Sequence, residues 1–300
     1  MNSKQLLFSS LLTALGLGLA FANARAEFPE ARQYISGESQ DVDFIPSALN
    51  TNKVVLTYDD GPDPVLTPKV LDLLKAHHYH ATFFLIGDNI TPETKPIILR
   101  AIQEGHLIGS HSMHHLDSNT MTESEFRSDL DQSITLVRQI IKESGHDQNE
   151  VYFRFPYGAY GNAKGYHHFN VIREESQKLF GVNCINFAFW NIDPSDGWGL
   201  LRPRQIYKNV FSAFDGGKRT TVEDSTAPDT TSKVVKELTI KDDITHGGVI
   251  LMHDIHKQSV ESLSHIYNEL EKRHIEVVPL NSLPEFNFND RTCGSKFKPL

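Results

Sequence analysis

An α/β fold, with a parallel sheet covered by helices, is what this sequence predicts. Two observations carry it. Seven short strand-like runs alternate with helical patterns between Lys53 and Val278. The 300-residue length suits one large core of α/β-barrel size, or at most two small domains.

The elements follow in order. Lys53–Tyr58 (KVVLTY) is an apolar, β-branched run. Thr67 offers an N-cap and Pro68 a first helical position, ahead of Val70, Leu71, Leu73 and Leu74. Ala81–Ile86 is the second strand, and a helix from about Pro92 stops at Gly105. His106–Ser110 is a short third strand. Thr122 and Glu125 spell a capping box before a helix with Phe126, Leu130, Ile134 and Val137 on one face, ending near Gly145. Val151–Arg154 is the fourth strand, and the helix after it ends near Gly181. Ile185–Trp190 is the fifth strand, with a helix after Pro203. Gly248–Met252 is the sixth, with a helix over Ser259–Arg273, and Ile275–Val278 is the last. Residues 214–246 are polar, contain Gly216-Gly217 and show little apolar periodicity, so they read as an excursion over a binding groove or as a disordered loop. An open doubly wound sheet and a closed barrel share this alternation, and periodicity does not separate them.

The first 26 residues differ from the rest. One positive charge in Met1–Lys4, an apolar run from Leu6 to about Ala22, and the small-x-small pattern Ala24-Arg25-Ala26 follow the plan of an export signal. Gly16, Gly18 and Ser9-Ser10 make the run a weak permanent span; an uncleaved anchor is the alternative. The expectation is a signal peptide over 1–26, a single domain over 27–300 with its core at about 53–280, and a periplasmic or secreted location without stable membrane insertion. Losing 1–26 removes Lys4 and Arg25 and leaves 27 basic against 38 acidic residues. That balance argues against nucleic acid and anionic lipid as partners; it leaves the oligomeric state open. Cys184 and Cys293 can pair in an exported chain, with two free thiols as the alternative.

The polar residues of interest share one address. Asp59 and Asp60 follow the first strand, His111 and His115 the third, Arg154 and Tyr157 the fourth, Asp193 and Asp196 the fifth, and His253 the sixth. In a parallel α/β fold the strand C-terminal ends open onto one face, so these groups converge. His111 and His115 are four apart, which on a helical turn puts both imidazoles on one side as a metal pair requires; His114 is the alternative at three. Adjacent carboxylates at Asp59-Asp60 repel unless something positive compensates, and a metal could bind one and leave the other as a base. A solvated Asp-Gly-Pro turn is the plain alternative. His77-His78 with His80, and His167-His168, have no comparable carboxylate neighbour.

Five motifs in order resemble the polysaccharide deacetylase family, carbohydrate esterase family 4. They are Thr57-Tyr-Asp-Asp-Gly-Pro62, His111-Ser-x-x-His115, Arg154-Phe-Pro-Tyr-Gly158, Trp190-Asn-Ile-Asp193-Pro-Ser-Asp196-Gly-Trp198 and Leu251-Met-His253-Asp. The resemblance runs from about Lys53 to Leu280. It implies a distorted seven-stranded (β/α) barrel and metal-dependent removal of N-acetyl groups from N-acetylglucosamine of a wall polysaccharide, peptidoglycan ahead of chitin. It also implies that Asp60, His111 and His115 hold a divalent metal, usually zinc, with cobalt as another candidate. In the same way it makes Asp59 the base, held by Arg154, and His253 the acid, oriented by Asp196. The Tyr157 backbone N–H would serve the oxyanion, and Trp198 and Leu251 would wall the acetyl pocket. One departure touches those roles: the family sets Trp directly after the second Asp, whereas Gly197 intervenes here, and Asp193 could take the orienting role. Tyr58 stands where Phe is commoner. Three rivals use the same residues: an O-acetyl esterase on xylan, a non-haem iron oxygenase with a two-His, one-carboxylate set, and an inactive carbohydrate-binding protein.

Overall fold

Two short antiparallel strands, β1 (Gln33–Ile35) and β2 (Val42–Phe44), precede the main body. β3 (Lys53–Asp59), α1 (Thr67–Ala76), β4 (Ala81–Leu85), α2 (Lys95–Gln103), β5 (Leu107–Ser110) and α3 (Glu123–Ser144) follow. Then come β6 (Val151–Phe153), α4 (His167–Phe180), β7 (Ile185–Phe187), α5 (Pro203–Asp215), the hairpin β8 (Gly217–Asp224) and β9 (Lys233–Ile240), β10 (Gly247–His253), α6 (Lys257–Lys272) and β11 (Glu276–Val277). The computed structural model describes residues 33–35, 42–44, 47–146, 148–160, 167–181, 184–224, 233–240 and 244–286. The expected signal peptide over 1–26 lies outside them. Among the described residues no helix is long and apolar enough to cross a membrane.

Seven parallel strands form the main sheet in the order β10-β3-β4-β5-β6-β7, with β11 added beside the start of β3. The ring closes irregularly. β7 is only three residues long, and the chain reaches β10 again at a parallel bridge between Ile192 and Ile250. Leu251 N–H donates to the Ile192 carbonyl at 2.9 Å, and the Asn191 side-chain oxygen accepts from Val249 N–H at 2.7 Å, standing in for missing strand. This is the distorted seven-stranded barrel expected above.

Strand parity decides what faces the barrel interior. On β3, Val54, Leu56 and Tyr58 pack outward in the main helix-facing core, while Val55 belongs to the interior cluster and Thr57 meets Arg154 there. On β10, Ile250 and Met252 face out and Val249 faces in. Phe84 and Tyr152 fill the interior between them, and a Cβ on Gly109 would lie 2.7 Å from Phe84 and 2.9 Å from Tyr152, so only glycine fits there. The same alternation carries Asp59, His111, Arg154 and His253 to the inward side as each strand ends. Leu280, Leu283 and Phe286 join the interior cluster from the last described turns, and Tyr152 Oη donates to the Phe286 carbonyl at 3.0 Å.

Several local expectations hold. Thr122 and Glu125 form a capping box, and Gly145 ends α3 in the left-handed conformation. Others need correction. Thr67 is the first residue of α1 rather than its cap; Leu66 holds the cap position without a side-chain capping bond, and Asp63 Oδ1 accepts from Val65 and Leu66 N–H at 2.8 and 2.6 Å in the turn before it. The stretch 214–246 is not a structureless loop where it is described. β8 and β9 pair antiparallel, and the Asn209 side chain on α5 both donates to Thr220 O and accepts from Thr220 N–H. Cys184 is buried and takes part in a disulfide; Cys293, the chain's other cysteine, lies outside the described residues.

Candidate active site

The loops that follow the strands set the site. Asp60 has φ +73°, in the left-handed region, and its carbonyl accepts from Asn89 Nδ2 at 2.7 Å. Gly61 O accepts from Ile86 N–H at 3.0 Å, tying this turn to the end of β4. Residues 111–115 form no helical turn, contrary to the expectation from their spacing. Ser112 and His115 have φ +68° and +53°, which no α-helix permits. The two imidazoles meet because this loop is stitched on every side. Ser112 Oγ accepts from His115 N–H at 2.9 Å, and buried Asp129 on α3 accepts from Met113 and His114 N–H at 2.8 and 3.2 Å. His114 points elsewhere, to Asp88 at 2.9 Å, half out in solvent.

Asp60, His111 and His115 converge. Asp60 Oδ1 lies 3.4 Å from His111 Nε2 and 3.1 Å from His115 Nε2. Those separations match neighbouring ligands around one ion with bonds of about 2.0–2.1 Å. Two further observations fit a divalent cation. Asp60 Oδ1 is buried with no hydrogen-bond partner. The His111 Nδ1 donates to the Arg154 carbonyl at 2.9 Å, which leaves the Nε2 lone pair facing the cluster. Burial alone would raise the Asp60 carboxyl; the two imidazoles, with His253 behind them, hold it far below the usual carboxylate range. Among the described residues these three form a possible metal site.

Asp59 sits beside this trio, with Oδ2 3.6 Å from His111 Nε2. Its other oxygen accepts from Arg154 Nη1 at 2.8 Å. Arg154 is wholly buried, and its guanidinium also donates to Thr57 Oγ1 and the Ala188 carbonyl, each at 2.8 Å, with Cζ 4.1 Å from the Phe84 ring centre. Burial lowers the arginine's pKa, and the Asp59 carboxylate opposes that.

His253 completes the set, its Nε2 4.0 Å from Asp60 Oδ2. Asp196, fully buried, takes two of the residue's donors: Oδ1 accepts from Nδ1 and Oδ2 from the backbone N–H, each at 2.9 Å. Burial would lower the imidazole's pKa, but Asp196, Asp60 and Asp59 together raise it to about 10. Asp193 is turned away, accepting from Ser195 N–H at 2.6 Å and lying 3.6 Å from Arg219 on the hairpin. Gly197 has a local reason: a Cβ there would lie 2.7 Å from His253 Cε1.

The remaining expected residues differ in burial. Tyr157 has φ +58° and its exposed ring stands 4.7 Å from that of His115. Trp198 is nearly half exposed, with Lys233 Nζ 3.7 Å from its ring centre. Leu251 is buried on β10. The other histidine groups serve elsewhere: His77 meets Glu271 at 2.7 Å, and His168 is buried against Phe126 and the Ser118 carbonyl. Sequence reasoning missed Asp129 and Asp254. Asp254 is buried, accepts from the Thr67 hydroxyl, and crowds Gly61, where a Cβ would lie 2.6 Å from its oxygens; burial raises it to about 7. Its place directly after His253 was the one available signal. Nothing in the pattern of α3 marked Asp129.

Comparisons with known proteins bear on the fold and on the family it is similar to. Residues 47–167 match the family model described as polysaccharide deacetylase. The chain is 27% identical over 245 residues to the peptidoglycan-N-acetylglucosamine deacetylase PgdA of Listeria monocytogenes, a match covering 82% of this chain and 41% of that protein. It therefore spans about two fifths of that relative's length. It is 28% identical to a chitooligosaccharide deacetylase of a Bradyrhizobium strain, covering 78% of this chain and 91% of the relative. The solved structure of the Bc1960 peptidoglycan N-acetylglucosamine deacetylase with a bound N-oxidanyl-benzamide superimposes with a TM-score of 0.54 at 26% identity, covering 79% and 90% of the two chains. Over residues 47–167 this chain is similar to the polysaccharide deacetylase family, and its barrel is similar to that of the Bc1960 structure.

Proposed function

We propose that this chain is an exported, metal-dependent deacetylase that hydrolyses the N-acetyl group of N-acetylglucosamine residues in a wall polysaccharide, peptidoglycan before chitin. The observation that carries the reading is the placing of a carboxylate, Asp59, and an imidazole, His253, on either side of the Asp60–His111–His115 cluster. The names of the Listeria relative and of the Bc1960 structure favour peptidoglycan.

Asp60, His111 and His115 would hold the cation, zinc or cobalt, which when bound supplies Lewis acidity toward the acetyl carbonyl and lowers the pKa of a water. Asp59 acts as general base. Arg154 fixes one of its oxygens, leaving Oδ2 to accept the proton of the attacking water. The backbone N–H of Tyr157 donates to the oxyanion that forms on the acetyl carbon. His253 then gives its Nε2 proton to the departing amine, a poor leaving group without it, while Asp196 holds Nδ1 and so fixes the ring. Leu251 and Trp198 wall the space for the acetyl methyl.

The test is acetate release from defined peptidoglycan, chitin oligomers and acetylxylan, with and without a chelator. Release from an N-acetylated glycan, abolished by chelation and restored by added metal, is the expected result. Activity that survives complete metal removal overturns the mechanism, and a preference for acetylxylan overturns the substrate.

A further inference from the structure

The glycine that interrupts the Asp196–Trp198 motif opens a relationship outside the roles assigned above. Asp196-Gly197-Trp198-Gly199 is a tight turn, closed by Gly199 N–H donating to the Asp196 carbonyl at 2.9 Å. Two imidazoles clasp it. On one side the Gly197 backbone lies against His253, where a Cβ would sit 2.7 Å from Cε1 and 2.9 Å from Nε2. On the other, Gly199, with φ +62°, packs on His256, where a Cβ would sit 2.9 Å from Nδ1. The rings themselves are 6.4 Å apart. His256 Nε2 lies 2.8 Å from the Gly197 carbonyl, which can only accept, so His256 is the donor. His256 is the N-cap residue directly before α6, so the bond ties the turn to a helix packed on the barrel.

We infer that His256 is a positioning residue: it clamps the Asp196–Gly199 turn onto the His253 ring and so keeps the general acid aimed at the leaving group. The turn does two things for His253. Asp196 holds Nδ1 from one edge, and Gly197 covers the ring where any larger residue would push it aside. Without the His256 bond, the turn keeps its internal hydrogen bond but loses its tie to α6. A ring displaced by about 1 Å is enough to cost on the order of 100-fold in proton delivery. The inference rests on His253 acting as the general acid.

The experiment compares two substrates that differ in their need for that acid. Removing an N-acetyl group requires protonation of the amine; hydrolysis of 4-nitrophenyl acetate expels a phenolate that needs none. His256→Ala should lower kcat for acetate release from N-acetylated chitin oligomers by roughly 10- to 100-fold. On 4-nitrophenyl acetate it should fall no more than about threefold, the small change expected of a step that does not use the acid. His256→Gln, whose amide can donate to the same carbonyl, should recover most of the loss. Gly197→Ala keeps every hydrogen bond but puts a methyl against the ring, and should show the same split between substrates; it carries the test should His256→Ala fail to melt cooperatively. Equal losses on both substrates, or no loss on either, overturn the inference while wild-type activity stands. Absence of wild-type acetate release would instead strike the functional reading beneath it.

Discussion

Asp59 and His253 are register partners, the last residues of two adjacent parallel strands. Their parity turns both side chains into the barrel mouth, where the Asp60 carboxylate also lies. Asp59 reaches the His111 side of the cluster at 3.6 Å and His253 approaches Asp60 Oδ2 at 4.0 Å. One pairing in one sheet thus sets the spacing of the two groups to which proton transfer is assigned.

Asp59→Asn tests that assignment. The amide oxygen can still accept from Arg154 Nη1, so the fold and the three-donor cluster should persist. Turnover should fall by about 10²–10⁴-fold, the usual worth of a positioned base. Metal content per chain, measured on the same sample by elemental analysis, should match wild type. Full deacetylase activity in this variant would remove Asp59 from the mechanism.

Arg154 should matter for stability as well as activity. It is buried among aromatic rings and pairs with a carboxylate that is itself almost fully buried. Arg154→Met leaves Asp59 without its cation, and breaking one half of such a pair costs about 3–5 kcal/mol. Urea unfolding should show that loss. The double variant Asp59→Asn/Arg154→Met should regain part of it, because no lone charge is left in the interior, while remaining inactive. A double variant no more stable than Arg154→Met alone would mean that the arginine's packing, and not its charge, sets the cost.

Much of this architecture was legible in the sequence because it is local. The capping box at Thr122 and Glu125, the left-handed stop at Gly145 and the apolar run of β3 each depend on neighbours a few residues away. The shared address of the site residues was legible for a topological reason: parallel strands send all their C-terminal ends to one side. What escaped depends on distant partners. The His111–His115 loop takes its shape from Asp129 and from two positive φ angles. Barrel closure depends on the Asn191 side chain meeting Val249, 58 residues on. The seat of Gly197 on His253 reads, in the sequence, only as a motif with one residue too many.

His114 and His115 give the metal assignment a direct control. Their spacings from His111 are both compatible with a ligand pair on a helix, but the structure sends His115 to Asp60 and His114 to Asp88. His115→Ala should lose metal at micromolar chelator concentrations at which wild type retains it, whereas His114→Ala should bind within about twofold of wild type, as befits a mostly exposed pair. Thermal melts should agree. An ion bound only by the folded chain adds about 3–4 kcal/mol of stability at 100 to 1,000 times its Kd. Wild type and His114→Ala should therefore melt higher with added zinc, and His115→Ala should not. The reverse pattern would exchange the two histidines.

Acid should weaken the fold through a histidine remote from the site. His106 is buried between β4 and the turn after α2; its Nδ1 accepts from Ala81 N–H at 3.1 Å, and its Nε2 has no partner. Protonation would place a charge in that space and turn an acceptor into a donor facing a donor. Burial, with nearby His80, lowers its pKa to about 4 from the usual 6.5. The sign follows from which state binds the proton first. As pH falls below 6.5 the unfolded chain takes up a proton that the folded chain refuses, so stability declines until the folded residue also titrates near 4. At about 1.4 kcal/mol per unit of separation, the full loss is on the order of 3 kcal/mol. His106→Asn keeps an acceptor for Ala81 N–H but cannot titrate. Less stable than wild type near pH 7.5 because of the space it leaves, it should draw level or overtake as pH falls from 6.5 to 4. Urea unfolding of both proteins across that range measures the difference; a gap that stays constant would show that His106 takes up its proton equally in both states.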